Sequence, residues 1–497
     1  MNHRLPRCQA RLLPAYGAGL RWLFVLLAVA GCERTGEGTL PAKPEADAGR
    51  TRGEDPRPNI LLITVCTFRY DHMSAAGYPR PTTPFLDSLA AGGVFFENAV
   101  SSSSWTKPAV ASILTGLTPN VHRMTDSYKD EEIRGVGFTP KRTLSDGVVT
   151  LAECLREVGY ETGYQNNNIH AGRFFNMTQG FDDAGFHDYQ VDTPRMLAEF
   201  AAWVRRLDRN KPFFFFLLTR DPHLTYDPHY EYYHKFDRSS PPVARHGYSG
   251  FLFARAVRTE IQKRLKDKQP PGREYEQRWI DLYDAELAQL DDVLRAVPVI
   301  LAEAGRQSNT VIVVTGDHGE RFFDGLTKNI GHSGALDEPV LHVPLLICGP
   351  GIPAGRRINR IVRSIDIYPT VAELARADVP DLVQGESLLP FLFGDAEALA
   401  PRTAFASYAE TRHAVRDGNF KLHYANGAAQ ALYDLQSDPA ESLNRLDAES
   451  EVAARLERRV LGWLDQERAL QEIISEGRAR EMTPEVIEQL RSLGYVQ

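Results

Sequence analysis

Cysteine is scarce in this chain, five in 497 residues, too few for a disulfide framework. Cys8 and Cys32 fall near the N-terminus, which leaves Cys66, Cys154 and Cys348 for the folded part, at spacings unlike a zinc ribbon. A surplus of positive charge is also lacking. The formal net charge is -8 and the pI is near 6.0, which argues against a general nucleic-acid binder. The N-terminal apolar run, residues 22–30 (WLFVLLAVA), falls short of the roughly 20 residues that span a bilayer. It follows Arg4, Arg7, Arg11 and Arg21 and ends in Val29-Ala30-Gly31-Cys32. A basic segment, a short apolar segment and small residues before a Cys resemble a bacterial lipobox. Residues 1–32 are therefore expected to be a lipoprotein leader, with Cys32 acylated. An ordinary signal peptide ending near a Cys is the alternative. The expected location is the cell envelope, lipid-anchored to a bacterial membrane and facing periplasm or exterior.

What is present is a long α/β pattern. Residues 33–57 are polar and rich in Pro and Gly, and read as a disordered tether. Residues 59–65 (NILLITV), 212–218 (PFFFFLL), 310–315 (TVIVVT) and 343–347 are short apolar runs that suit strands buried on both faces. Helical patterns alternate with them, at 84–92, 107–116, 148–158 and 279–296. This alternation predicts an α/β sheet flanked by helices over residues 58–400. Residues 226–273, rich in Tyr, His, Pro and charge, read as an insertion over one sheet edge. A lid and a functionless surface excursion both suit it. From residue 401 onward, short strand-like runs precede a charged helix, which predicts a small C-terminal α+β subdomain over 401–497. No internal repeat is visible.

Two motifs carry chemistry. In VVTGDHGE, residues 313–320, Asp317 and His318 leave the end of a buried strand, where open α/β sheets place ligands. Carboxylate and imidazole side by side can share a divalent ion; a capped turn is the bland reading. In SSWTKPAVASILTG, residues 103–116, Thr106 opens a small-residue helix, where N–H groups favour an anion. A metal would lower the hydroxyl's pKa and make it a nucleophile; a simple helix cap is the alternative.

Together and in this order, the motifs resemble the sulfatase family of the alkaline-phosphatase superfamily. YPRPTTPFLDSLAAGG (78–93), LTGLTPNVH (114–122), YDAEL (283–287), DIYPT (366–370), LYDL (432–435) and LRSLGYV (490–496) fit the same pattern, so the resemblance covers nearly the whole mature chain. It implies a large mixed sheet sandwiched by helices, alkaline-phosphatase-like, followed by the smaller subdomain. It also implies metal-dependent hydrolysis of sulfate or phosphate esters. On matching positions Asp317, His318 and Thr106 would bind the metal, with Thr106 also the nucleophile. His223 and His332 would lie near the transferred group and leaving oxygen. Asn167 and His122 would contact substrate.

Three departures stand out. The family's Cys/Ser-x-Pro-x-Arg, source of formylglycine, reads Thr106-Lys107-Pro108-Ala109-Val110 here. A secondary carbinol cannot give that aldehyde, and Val110 replaces the Arg. Cys66 stands where the first strand should end in a metal-binding Asp; a thiolate suits Zn²⁺ better than Ca²⁺. The Lys expected after Gly159-Tyr160-Glu161-Thr162 is missing from Gln165-Asn166-Asn167-Asn168. The cofactor expectation is therefore one divalent metal, Zn, Mn or Ca, with Zn favoured if Cys66 is a ligand. The partner expectation is an anionic ester: a sulfated or phosphorylated glycan, lipid or small molecule. Two alternatives stay open: a pseudoenzyme that binds an anion or glycan as a lipoprotein, and a Thr106-dependent transferase of phospho groups.

Overall fold

The computed structural model describes residues 57–127, 140–186, 191–224, 226–236, 272–324 and 329–475, with a few positions between 259 and 267. The leader with Cys32, most of the tether and the LRSLGYV ending lie outside them, as does most of the 226–273 insertion. The described residues belong to one unit, Ala48–Gln497.

Eight strands build the main sheet: β1 (Asn59–Val65), β2 (Gly93–Val100), β3 (Glu161–Asn166), β4 (Asp183–Phe186), β5 (Phe213–Thr219), β6 (Thr310–Gly316), β9 (His342–Cys348) and β10 (Arg356–Arg363). Between β6 and β9 lies a small ribbon, β7 (Arg321–Phe322) with β8 (Ile330–Gly331). The order across the sheet is β10-β2-β9-β6-β1-β5-β3-β4. Only β9 runs antiparallel to its neighbours, so the sheet is mixed. Residues of β1 alternate between two cores: Leu61, Ile63 and Val65 face one, Ile60 and Leu62 the other. Helices cover both faces, which is why β1, β5 and β6 read as unbroken apolar runs. Each fully buried Leu, Ile or Val contributes about 1.5–3 kcal/mol.

The C-terminal sheet is an antiparallel meander, β11 (Thr403–Tyr408), β12 (Arg412–Asp417), β13 (Phe420–Ala425) and β14 (Ala428–Asp434). The helix Ser450–Ser475 packs Leu456 and Val460 against Val415, Leu422 and Leu432. Ala404 and Ala406 join the small sheet to Val100 and Leu341 of the large domain. The expected fold class, a large mixed sheet between helices with a smaller α+β subdomain, is the one observed. The pattern reading passed over β3, β4 and β10. Tyr, Gln and Asn interrupt β3, and four arginines break the apolar run of β10 at the sheet edge. Among the described residues, no helix is long and apolar enough to cross a membrane.

Candidate active site at the strand ends

Register brings the site together. Val65 pairs with Gly316 on one side and with Thr219 on the other, and Asn166 pairs with Leu218. The chain therefore leaves β1, β6, β5 and β3 at one end of the sheet, carrying Cys66, Asp317-His318, His223 and Asn168 to a common rim. Thr106 arrives from β2 as the first residue of the fully buried helix Thr106–Thr115, whose N-cap is Trp105. Val110, Ile113 and Leu114 pack that helix into the core on one face of the sheet, while Ala111 joins Met124 and Ile169 in a separate cluster. Gly319 is demanded by crowding: a Cβ there would lie 2.1 Å from the Pro339 carbonyl oxygen.

Thr106 Oγ1 does not cap its helix. It lies 3.4 Å from Cys66 Sγ and 3.4 Å from His318 Nε2, and Asn168 Nδ2 donates to it at 3.2 Å. His318 Nδ1 is 2.9 Å from the Gly319 carbonyl, which can only accept, so Nδ1 carries the proton and Nε2 offers its lone pair. Asp317 Oδ1 accepts the N–H groups of Thr67 (3.1 Å) and His318 (2.7 Å). Its Oδ2 is buried, lacks a hydrogen-bond partner and lies 3.5 Å from His318 Nε2. Cys66, Asp317 and His318 offer ligand atoms all within 4.8 Å of one another.

This donor set fits a small four-coordinate ion. Ligands about 2.0–2.3 Å from a tetrahedral zinc stand roughly 3.3–3.8 Å apart, and the Cys66–Thr106, Thr106–His318 and His318–Asp317 separations of 3.4, 3.4 and 3.5 Å match those edges. One carboxylate and one hydroxyl are a poor match for the six to eight oxygens that Ca²⁺ takes. The local electrostatics agree. Burial pushes the Cys66 thiol well above its ordinary value, and Asp317 adds to the rise. Burial lifts Asp317 to about 6, against the pull of the two backbone N–H groups. Burial and the neighbouring His332 hold His318 well below the usual imidazole range. In the absence of a cation, burial keeps these groups in their neutral forms.

His332 and His223 stand beside this centre, with the His332 ring 4.4 Å from His318 and 5.2 Å from His223. His223 Nδ1 donates to the Leu224 carbonyl at 2.7 Å, and burial, then His332, lowers its pKa. His332 differs: burial would lower it, but Glu320 raises it above the ordinary value through a 3.1 Å contact to Nδ1. Glu320 adjoins the Asp317-His318 pair, yet no role was read for it from sequence. Its place in GDHGE was the available signal.

Two expected substrate contacts are turned elsewhere. Asn167 Oδ1 accepts the Arg220 N–H at 2.7 Å and its Nδ2 donates to the Val191 carbonyl at 2.9 Å. His122 is buried, with Nε2 3.0 Å from Ser112 Oγ and Nδ1 accepting the Met124 N–H at 3.1 Å; burial pushes its pKa down to about 3. It ties the end of its own short helix, Pro119–His122, to the helix Thr106–Thr115. Asn168, not Asn167, reaches Thr106 Oγ1 and Cys66 Sγ. Val110 is fully buried, and Lys107 is buried too, its ammonium on Asp126 (2.5 Å) and over the Phe175 ring. The YDAE segment is support: Tyr283 Oη donates to the Thr67 carbonyl and accepts the Arg69 N–H, fixing the turn after β1.

Residues 58–377 match the family model described as Sulfatase, more than half of the chain. The chain belongs to the sulfatase family. Residues 334–466 of this sulfatase-family member also match a model described as N-sulphoglucosamine sulphohydrolase, C-terminal. It is similar to arylsulfatase A of Bos taurus, 26% identical over 486 residues, covering 80% of this chain and 85% of that one. Among solved structures, it resembles one in complex with its substrate D-glucosamine-2-N,6-O-disulfate, at 20% identity and TM-score 0.66, covering 84% and 98% of the two chains. It also resembles the phosphonate monoester hydrolase of Agrobacterium radiobacter, at 22% identity and TM-score 0.63, covering 84% and 96%. At those identities the structural likenesses speak to the fold.

Proposed function

We propose that this chain is a metal-dependent hydrolase of sulfate or phosphate esters that uses Thr106 Oγ1, and not formylglycine, as nucleophile. The observation that carries the reading is the convergence of Cys66 Sγ and His318 Nε2 on Thr106 Oγ1, each at 3.4 Å, beside the unpartnered Asp317 Oδ2. Cys66, Asp317, His318 and Thr106 would hold one divalent ion, and the sulfur favours zinc. When bound, the ion supplies positive charge that lowers the Thr106 hydroxyl pKa and offsets charge on the transferred group.

The residues then divide the work. Thr106 Oγ1, its proton released to solvent, attacks sulfur or phosphorus, and the bond to the ester oxygen breaks. His332, held by Glu320, gives a proton to the departing oxygen, so the alcohol leaves neutral. Water next attacks the group on Thr106. His332 takes a proton from that water, the bond to Thr106 Oγ1 breaks, inorganic sulfate or phosphate leaves, and Thr106 Oγ1 regains a proton from solvent. His223, with its ring 5.2 Å from that of His332 and Nδ1 held by the Leu224 carbonyl, would steady the transferred group by hydrogen bonding. Sulfated glycans are the substrate class suggested by the disulfated glucosamine of one neighbour, and phosphorus esters by the hydrolase of another. The lipobox at Cys32 supports action at the cell envelope, from a membrane anchor.

A second reading has one observation of its own. With Val110 in place of Arg and no Lys among residues 165–168, the site lacks two cations of the family pattern, which suits a non-catalytic anion-binding lipoprotein. Assays of the leaderless protein on aryl sulfates, phosphate mono- and diesters and phosphonate esters separate the two. The hydrolase reading expects turnover in wild type that Thr106→Ala abolishes. Turnover that persists in Thr106→Ala would overturn the nucleophile.

A further inference from the structure

Three consecutive asparagines follow β3, and the structure gives each a separate task. Asn166 is a clamp: its Oδ1 accepts the Asn168 N–H at 2.6 Å and its Nδ2 donates to the Asn168 carbonyl at 2.8 Å. Asn167 is a tether to the strand-end loop that carries His223, through the Arg220 N–H. Asn168, 1% exposed, turns inward.

Its amide orientation is decided by the backbone. Asn168 Oδ1 accepts the His170 N–H at 3.0 Å, as N-cap of the short turn Ile169–Ala171. Flipping the amide would set NH₂ against that N–H, donor against donor. The NH₂ end therefore faces the site, 3.2 Å from Thr106 Oγ1 and 3.5 Å from Cys66 Sγ. An amide NH₂ has two hydrogens, one for each acceptor.

We propose that Asn168 is a catalytic residue: its side-chain amide brackets the Thr106 oxygen and the Cys66 sulfur and stabilises negative charge on Thr106 Oγ1. The inference rests on the Thr106 reading above. Charge sits on that oxygen twice, as it attacks and again as water displaces it from the transferred group. A donor already aimed at the oxygen strengthens at both moments without reorganisation, in the manner of an oxyanion hole. A neutral amide thus does part of what the missing cations would do, and directs it at the nucleophile instead of the substrate. The same NH₂ keeps the sulfur acting as a hydrogen-bond acceptor.

The test uses Asn168→Ala and the isosteric Asn168→Asp, with Asn167→Ala as the variant that disturbs only the neighbouring tether. Three readouts are taken: kcat and KM on whichever aryl ester wild type hydrolyses, metal content, and the absorption of the cobalt-substituted protein. Removing one oxyanion donor costs about 10²–10³-fold in kcat. That loss is expected in both Asn168 variants, with KM within about threefold and metal content unchanged. Loss of the N–H···S bond should also move the sulfur-to-cobalt charge-transfer band to longer wavelength, while Asn167→Ala leaves it in place. The band requires no turnover, so it tests the bracket even in a protein that hydrolyses none of the esters. The isosteric variant covers the case in which the alanine variant does not fold. Wild-type kcat in Asn168→Ala with an unmoved band overturns the proposal. So does a kcat loss matched by loss of metal, which marks a structural role. If Thr106→Ala stays active, the underlying reading fails instead, whatever Asn168 does.

Discussion

Two clusters among the described residues could hold a metal by ligand spacing, and they differ in what surrounds them. Cys66, Asp317 and His318 lie at the strand ends, fully buried, and no lysine or arginine among the described residues pairs with them. Asp337, His423 and Glu441 lie where the C-terminal sheet meets the large domain, and cations already crowd that site. Lys421 Nζ reaches Glu338 at 3.1 Å and Glu441 at 3.2 Å, Arg416 binds Glu338 at 3.0 Å, and Arg321 binds Asp337 at 2.5 Å. The Lys421 charge, against the cost of burial, holds Glu441 below its usual value, and draws Glu338 down to about 2. In the first cluster burial instead drives the acids up. Spacing alone would rank the two alike. Their ion partners separate them: one set of donors is spent on a structural joint, and the other has no lysine or arginine partner among the described residues.

The largest contrast should appear in catalysis. Asp317→Asn removes the first cluster's carboxylate and is expected to lower turnover by at least about 10²-fold, with loss of bound metal. Glu441→Gln should leave turnover within about threefold. Equal losses would erase the distinction. The next effect reverses direction and reads stability. Lys421→Met strands Glu338 and Glu441 without their shared cation, and breaking a buried pair this way costs about 3–5 kcal/mol. In chelator-treated protein, Asp317→Asn should cost less than about 1 kcal/mol, because Oδ2 has no partner to lose. Urea midpoints give both numbers, and a similar cost for the two would contradict the account.

Glu467 is an intermediate case, a buried carboxylate held by neutral donors. Thr118 Oγ1 donates to it, and Gln384 Nε2 does so at 2.6 Å, yet burial still pushes it up to about 7. Its unfolded value is near 4.3. The folded chain therefore binds the extra proton between about pH 4 and 7, and this group's contribution is complete below that window and lost as pH rises through it. Glu467→Gln should raise stability by about 1–3 kcal/mol at pH 8 and by nothing at pH 4. A gain independent of pH would rule out the carboxylate as its source.

Legibility from sequence followed the same physical line. The meeting of Cys66, Asp317 and His318 at one rim was legible because they follow β1 and β6, which are so uniformly apolar that their ends are plain. Thr106 could be found because small residues mark its helix. Asn168 could not be told from Asn167 by pattern: β3 ends at Asn166, and beyond it alternation no longer says which side chain turns inward. The backbone cap at His170 N decides, and that exists only in three dimensions. The Glu338–Lys421–Glu441 joint was hidden for a related reason, because its charges come from segments far apart in the chain. His122 shows that a motif match carries position without environment: the structure buries it beside Ser112 and Met124, and burial pushes its pKa down to about 3.

The central claim, that Cys66 makes this a thiolate metal site, is tested most directly by metal analysis and cobalt substitution of the purified protein beside Cys66→Ala. About one zinc per chain is expected in wild type, with a sulfur-to-cobalt charge-transfer band in the substituted protein, and loss of both in Cys66→Ala. A wild type without metal, or a metal and band that survive Cys66→Ala, would contradict it.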